Sequence, residues 1–434
     1  MSKRELNVWL NDRLIGRISE GNDLWEFAYE PAWASAEDSF DLGPGLPRST
    51  LEHADGGTLR PVQWYFDNLL PEEHLRIQLS KQAGIRGGDD AFALLQYLGA
   101  ESAGSLTLLP PDQSPPNAPG QKPLPDTELS RRIQDLSRHP LSEGAPKRMS
   151  LAGAQNKLPV IYKGDQLFEP VASEASTHIL KPNHTSDDCA ASVMAEFFTM
   201  TLAGRVGLPT PRVYRRYVPE PVYIIERFDR VVTNSGTQRL HIIDACQLLN
   251  KSKSFKAHPS LETLAQVIGA CRNRIQARLH VFQWLLFCVL IGNDDNHLKN
   301  LSFQVGADGI APTKHYDLIS TATYHTPAFA QDRALWPGLP LGIALPGARL
   351  FAEVRRTHLL HAGVALGIPP QIADRTISAL VAALEKETPL LVEEVVSGYG
   401  RHPQASQADR AIEIRAARTI WHATISQMLE QLRQ

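Results

Sequence analysis

The decapeptide IGNDDNHLKN, residues 291–300, follows directly on the apolar run VFQWLLFCVL of residues 281–290. Phe282, Leu285, Leu286 and Val289 recur at the spacing of one helical face, so the run reads as a buried helix. Asp294, Asp295, Asn296, His297 and Asn300 then emerge from a rigid platform into a loop. A polar turn capping a helix and a chemically active cluster both fit that description.

The chain has 434 residues, enough for two or three domains and a substantial core. A hydrophobic content of 43% and a charged content of 21% exclude wholesale disorder. The formal net charge of −3 supplies no global basic field, so nucleic-acid contact needs a local patch or a basic partner. Cys189, Cys246, Cys271 and Cys288 form no CxxC pair and read as reduced thiols of a cytosolic protein. The opening MSKRELNVWLNDRL lacks the apolar core of a secretory signal. The run Val281 to Ile291, interrupted by Gln283, falls short of the roughly 20 residues that cross a bilayer. A cytoplasmic protein with no membrane segment is expected.

VWLNDRLIGRI alternates apolar and polar residues around Asn11-Asp12 and predicts a β-hairpin, with Trp9 and Ile18 anchoring a small sheet. WYFDNLLPEEHL and DDAFALLQYLGAESAGSLTLLP predict short helices with acidic starts, closing on a strand. Residues 1–109 thus make an α+β domain. Seven of the sixteen residues from Pro110 to Pro125 are proline, which predicts an extended linker at 110–125. Beyond it, LPVIY, HILKP and PVYIIERF predict strands, and Ala190–Gly204 predicts a helix opened by Ser186-Asp187-Asp188 and stopped by Gly204. From about residue 240 the pattern turns almost wholly helical. Strands followed by helices indicate an α+β fold rather than a doubly wound sheet, with a sheet-rich part at 126–235 and a helical part at 236–434.

Asp295 and Asn300 stand at the D-x-x-x-x-N spacing in which an Asp accepts a substrate hydroxyl proton and an Asn holds Mg²⁺. Asp317, in KHYDLIS, would return a second carboxylate to such a site, or serve as a turn or N-cap residue for LISTAT. Lys181 ends a predicted strand and Glu196 falls in the following helix, the order of a phosphate-binding Lys–Glu pair and equally of two solvated charges. MSLAGAQNKLPV, residues 149–160, holds one glycine, Gly153, between Ala152 and Ala154, and matches no glycine-rich phosphate motif.

Taken together, SLAGAQNK, HILKP, ERFDR, DACQLL, IGNDDNHLKN and HYDLIS occur in the order and at the distances of the HipA family of bacterial toxin serine/threonine kinases, which the chain resembles. YFDNLLPE and DAFALLQYLGAESAGSLTLLP resemble that family's N-terminal domain. The resemblance implies a small N-terminal α+β domain followed by a protein-kinase-like bilobal fold with a mostly helical C-lobe. It implies Asp295 as catalytic base, Asn300 and Asp317 as Mg²⁺ ligands, and Lys181 as the phosphate-binding lysine of an ATP site. Ala152, Gly153, Ala154, Gln155 and Lys157 would form the phosphate-covering loop, and Ser150 its autophosphorylated serine, whose modification ejects the loop and switches the kinase off. Glu226 and Phe228 would line the adenine hinge. His297 occupies the place where protein kinases carry a lysine toward the γ-phosphate, and would donate a hydrogen bond there. Asp294 and Asn296 stand where the family often has smaller residues.

The resemblance further implies an aminoacyl-tRNA synthetase as protein substrate, with growth arrest as outcome. It also implies a HipB-like helix-turn-helix antitoxin, through which operator DNA is mainly bound; a net charge of −3 agrees with that division. Two other classes fit the same sequence. A metal-dependent hydrolase would use Asp294, Asp295, His297, His315 and Asp317 but leaves Lys181, Glu196 and Ser150 unexplained. A catalytically dead antitoxin or DNA-complex scaffold would need none of them.

Overall fold

The computed structural model describes residues 3–85, 90–102, 104–116, 118–153, 155–233 and 236–433. Its backbone contacts divide into two compact units. The first comprises Met1–Leu180, Glu226–Lys256 and Ser302–Thr313; the second comprises Lys181–Ile225, Ala257–Leu301 and Lys314–Gln434.

In the first unit, the strands Arg4–Leu10 and Arg13–Gly21 pair antiparallel across the Asn11-Asp12 turn, where Asn11 adopts a φ of 55°. Asparagine tolerates that left-handed conformation, so the hairpin forms where its turn residues permit it. Leu24–Tyr29, Glu52–Ala54 and Leu106–Leu109 complete a five-stranded sheet. Of its buried residues Ile18, Trp25 and Phe27, Trp25 lies edge-on to Phe92 at 5.1 Å and Phe27 packs on Phe66 at 5.9 Å. WYFDNLLPEEHL is broken: Pro61–Asp67 and Glu73–Gln82 are separate helices, because Pro71 lacks the N–H that a continuous helix needs. Ala91–Leu98 starts on Asp90, whose carboxylate accepts from the Ala93 N–H at 2.9 Å.

Part of the proline-rich segment is not a linker. Pro119–Pro123 is a strand pairing antiparallel with Gln166–Ala172, at the edge of its sheet. An edge strand has one side without ladder partners, which is where prolines are tolerated. Leu158–Lys163 pairs with Gln166–Ala172 on one side and with His178–Pro182 on the other.

The second unit is built on the helix Arg274–Leu290. Its residues 281–290 are buried apart from Gln283, and Phe282, Leu285, Leu286 and Val289 are all at 1% exposure or less. A helix apolar on every side has to sit in the interior, and each such side chain contributes about 1.5–3 kcal/mol on burial. Helices Leu261–Ala270, Arg356–Ala365, Pro370–Gly398 and Gln407–Thr419 surround it in sequence. The helix predicted at 190–204 runs instead from Ser192 to Arg205. Ala191 is left-handed at φ 56°, so the helix cannot begin earlier; Asn183 Oδ1 takes the Val193 N–H at 2.9 Å. Gly204 lies inside the helix rather than beyond its end.

The C-terminal half is less purely helical than its pattern suggests. Ile242–Asp244, Ser302–Gly306 and Gly309–Pro312 form a three-stranded sheet in the first unit, and Pro340–Leu345 pairs with Ala348–Leu350 in the second. These strands are three to six residues long, too short to impose a period-2 pattern against long helical runs. No described helix is long and apolar enough to cross a membrane.

Candidate active site

The platform helix ends at Ile291, and Gly292 turns the chain at φ +66°. A side chain there would meet Thr424 and Ala322 within 2.8 Å, so only glycine closes this end of the helix. The Asn293 N–H returns to the Cys288 carbonyl at 2.8 Å, and Asn293 Oδ1 accepts from the Asp295 N–H at 3.0 Å. Asp295 itself is exposed, while Asn296, Leu298, Lys299 and Asn300 are buried. The Asp295 carbonyl takes the His297 N–H at 2.9 Å and the Asn300 Nδ2 at 3.0 Å. Residues 295 and 300 of the D-x-x-x-x-N spacing are therefore bonded to each other, and the amide oxygen of Asn300 is turned away from that bond. The 3-10 turn Leu298–Asn300 is what brings them back together.

The segment carrying Asp317 runs beside this loop. Tyr316 donates its hydroxyl to the Lys299 carbonyl at 2.7 Å, and Thr321 Oγ1 accepts the Asp294 N–H at 2.9 Å. Asp317 is left-handed at φ 57° and caps no helix; the following 3-10 turn Thr321–His325 has Ser320 at its N-cap. A non-glycine residue held there is strained, a state common at functional positions. Its Oδ1 accepts from Lys181 Nζ at 2.7 Å, and the same ammonium donates to Glu196 Oε1 at 2.7 Å. Burial works to lower the Lys181 pKa, but the carboxylates of Asp317 and Glu196 outweigh it and hold the ammonium above the ordinary lysine value. Lys181, Glu196 and Asp317, separated by up to 136 residues, thus meet at one point.

Tyr223, which no motif singles out, completes that point. Its ring lies 5.9 Å from Lys181 Nζ, and burial, with Glu196 and Asp317 nearby, drives its hydroxyl pKa well above normal. It sits in the continuously buried strand Pro221–Glu226, whose apolar run conceals a polar member. His315 is stacked on His280 at 3.9 Å; burial lowers both imidazoles, His280 to about 4, so neither carries charge near neutrality. Among the described residues, no three of Asp294, Asp295, His297, His315 and Asp317 bring ligand atoms within 4.8 Å of one another, which a hydrolase metal centre would need. Asn300 and Asp317 offer one amide and one carboxylate oxygen, a hard, sparse donor set that fits Mg²⁺.

The remaining candidates lie in the first unit. Ser150 is buried, donating its hydroxyl to the Leu69 carbonyl at 2.5 Å and its N–H to the Glu101 carbonyl at 2.7 Å. Ala152, Gly153, Gln155 and Lys157 are half-buried; Ala154 lies outside the described residues. Lys157 Nζ donates to the Ala152 carbonyl at 2.5 Å, and Gly153, at φ +104°, passes so close that a Cβ would stand 2.8 Å from that ammonium. The Glu72 N–H donates to the Gly153 carbonyl at 3.2 Å. Glu226 and Phe228 are half-buried and alternate with buried Arg227 and Asp229, as on an extended chain.

The same unit holds a charge cluster that takes Arg227, Asp229 and Arg230 from ERFDR, a stretch in which the resemblance gives roles only to Glu226 and Phe228. Glu101, 1% exposed, receives Lys147 and Arg230 at 3.0 Å, Ser176 Oγ at 2.7 Å, and has Arg227 at 3.6 Å and Arg239 at 3.9 Å. Asp229 takes a two-pronged bond from Arg227 and a further one from Arg230. Burial alone would raise the Glu101 pKa; the surrounding cations drive it far below the carboxylate range instead.

The fold is kinase-like, with helix and sheet arranged as in a solved HipA. Residues 6–109 match the HipA N-terminal domain and residues 149–388 the HipA-like C-terminal domain. The chain belongs to the HipA family. It is 32% identical to the Y4mE protein of Sinorhizobium fredii over 96% of this chain and 99% of that one. With the serine/threonine-protein kinase toxin HipA of Shewanella oneidensis it shares 31% identity over 76% of this chain and 78% of the relative. The Shewanella oneidensis HipA structure, solved with HipB and operator DNA, superposes with a TM-score of 0.78 at 25% identity, covering 99% of this chain and 97% of that one.

Proposed function

We propose that the protein is a toxin kinase that transfers the γ-phosphoryl group of ATP to a serine or threonine hydroxyl. The observation that carries this reading is Lys181 held at 2.7 Å from both Glu196 and Asp317, beside a loop in which Asn300 is bonded to the Asp295 backbone. Lys181 would bind the phosphates, Asp295 would align the hydroxyl and accept its proton, and His297 would donate toward the transferring group. Asn300 and Asp317 would hold Mg²⁺, which when bound neutralises phosphate charge. Residues 1–109 would form the N-terminal domain, 110–125 its connection, 126–235 the ATP-side lobe and 236–434 the helical lobe. Glu226 and Phe228 would face the adenine, and the segment from Ala152 to Lys157 would cover the phosphates.

Ser150 would be the residue at which the enzyme inactivates itself. Its burial and two hydrogen bonds support a loop that must leave its place before the hydroxyl can react. By analogy with the HipB and operator-DNA complex of the Shewanella protein, a helix-turn-helix antitoxin would neutralise this chain and carry most of the DNA contact. An aminoacyl-tRNA synthetase is the proposed substrate class, encountered in the cytoplasm. The test is incubation with labelled ATP and Mg²⁺, with Asp295→Asn alongside. Transfer is expected to fall by roughly 10²–10⁴-fold with ATP binding kept; transfer retained in the variant refutes the assignment. Phosphate found by mass spectrometry elsewhere on the chain but not on Ser150 refutes the switch.

A further inference from the structure

Gly342 lies in the strand Pro340–Leu345, far in sequence from the loop 293–300 and without any motif around it. A Cβ built on it would overlap Asn296 Oδ1 outright and stand 2.5 Å from the Asp294 carbonyl oxygen. Contacts under about 3.0 Å at a Cβ are not sustained, so one partner would have to move. Asn296 is only 2% exposed and its side chain hydrogen-bonds the Cys288 thiol, so it is wedged rather than free to swing. The Asp294 carbonyl is backbone, and its displacement is passed directly to Asp295. On its other side the same loop is fixed by Asp294 N–H to Thr321 Oγ1 at 2.9 Å and by the Ala322 N–H to the Gly292 carbonyl at 2.9 Å. The loop is therefore gripped between the 321–322 turn and the bare backbone of one strand.

We propose that Gly342 is a positioning residue for the Asp295 loop: the missing side chain lets the strand lie flush on Asp294 and Asn296 and sets where the Asp295 carboxylate points. The proposal rests on the phosphoryl-transfer reading only for its kinetic readout. In the full-length protein, Gly342→Ala is expected to speed hydrogen–deuterium exchange within residues 293–297 while the helix Arg274–Leu290 keeps its protection. It is expected to lower kcat by roughly 10–100-fold, as a displaced reacting group does, with the KM for ATP changed by less than about twofold. Gly342→Ala combined with Asn296→Gly, which removes one of the two overlaps, is expected to regain part of both. Gly347→Ala is the control: Gly347 lies in the adjoining turn at φ +89°, where a Cβ would stand 3.2 Å from the His358 ring, so the strain of that substitution should lower Tm and leave the loop and kcat alone. If Gly342→Ala does not accumulate, Asn296→Ala alone, which empties the space against Gly342 without adding backbone freedom, should raise the same exchange. Unchanged exchange in the loop, or the same changes in Gly347→Ala, overturns the proposal. A wild-type protein without phosphoryl transfer would defeat the kinase reading, and the exchange comparison would still decide the role of Gly342.

Discussion

Replacing Glu101 by Gln keeps the shape of the side chain and its bond from Ser176, but removes the carboxylate that faces Lys147, Arg227, Arg230 and Arg239. Asp229 is then left to balance Arg227 and Arg230, while Lys147 and Arg239 lose the Glu101 charge. Breaking a buried ion pair by removing one partner costs about 3–5 kcal/mol, because the other charge stays desolvated without compensation. For a unit of this size each kcal/mol moves the midpoint by about 2–4 °C, so Tm should drop by roughly 6–20 °C at pH 7. The sign with pH follows from the direction of the shift. The folded-state pKa of Glu101 is depressed below its unfolded value, so its contribution is complete above the unfolded pKa and declines as pH falls toward the folded one. The gap between wild type and Glu101→Gln should therefore be widest at neutral pH and narrow below about pH 4.5, since Gln does not titrate. Thermal unfolding followed by intrinsic fluorescence from pH 7 to pH 3, using the buried Trp25 and Trp33 of the same unit, measures both quantities. A variant within about 2 °C of wild type at pH 7 would refute the reasoning, as would a gap that does not change with acidity.

Lys181→Met should abolish phosphoryl transfer and also destabilise the protein by roughly 3–5 kcal/mol, since it strands the buried Glu196; adding Glu196→Gln should restore Tm but not transfer, and recovery of both by the double variant would show that Lys181 has no role in the chemistry. His280 has a folded pKa depressed to about 4, so it favours the folded state above its unfolded pKa of 6.5 and loses that contribution as pH falls toward 4. His280→Phe, which keeps a ring on His315, should make the protein less acid-sensitive by roughly 1–3 kcal/mol at pH 4, read from urea unfolding midpoints; an unchanged pH profile argues against a buried neutral pair.

The platform helix and the loop it carries were legible because both are local: an apolar run with helical period, then polar residues after a glycine. The order Lys181, Glu196, Asp295, Asn300, Asp317 was legible too, but not the meeting of Lys181 with Asp317, which needs the chain to close over 136 residues. Tyr223 was hidden by its apolar neighbours in the strand, and Gly342 by having no side chain to notice. The Glu101 cluster draws cations from residues 147, 227, 230 and 239, and charges so spaced read singly as solvated surface. Helix limits failed where one backbone angle decided them, as at Ala191. The prolines at 119 and 123 misled because an edge strand tolerates what a central one refuses.

The four cysteines have a practical side. Cys246, Cys271 and Cys288 are buried free thiols, and burial pushes Cys271 up to about 11 and Cys288 higher still, so their thiolates are scarce and out of reach. Cys189 alone is half-exposed, in the turn that leads into the helix carrying Glu196. Among the four it is therefore the thiol within reach of a maleimide without any engineered cysteine, although burial and the neighbouring Asp188 raise its pKa, so that labelling there calls for mildly alkaline buffer.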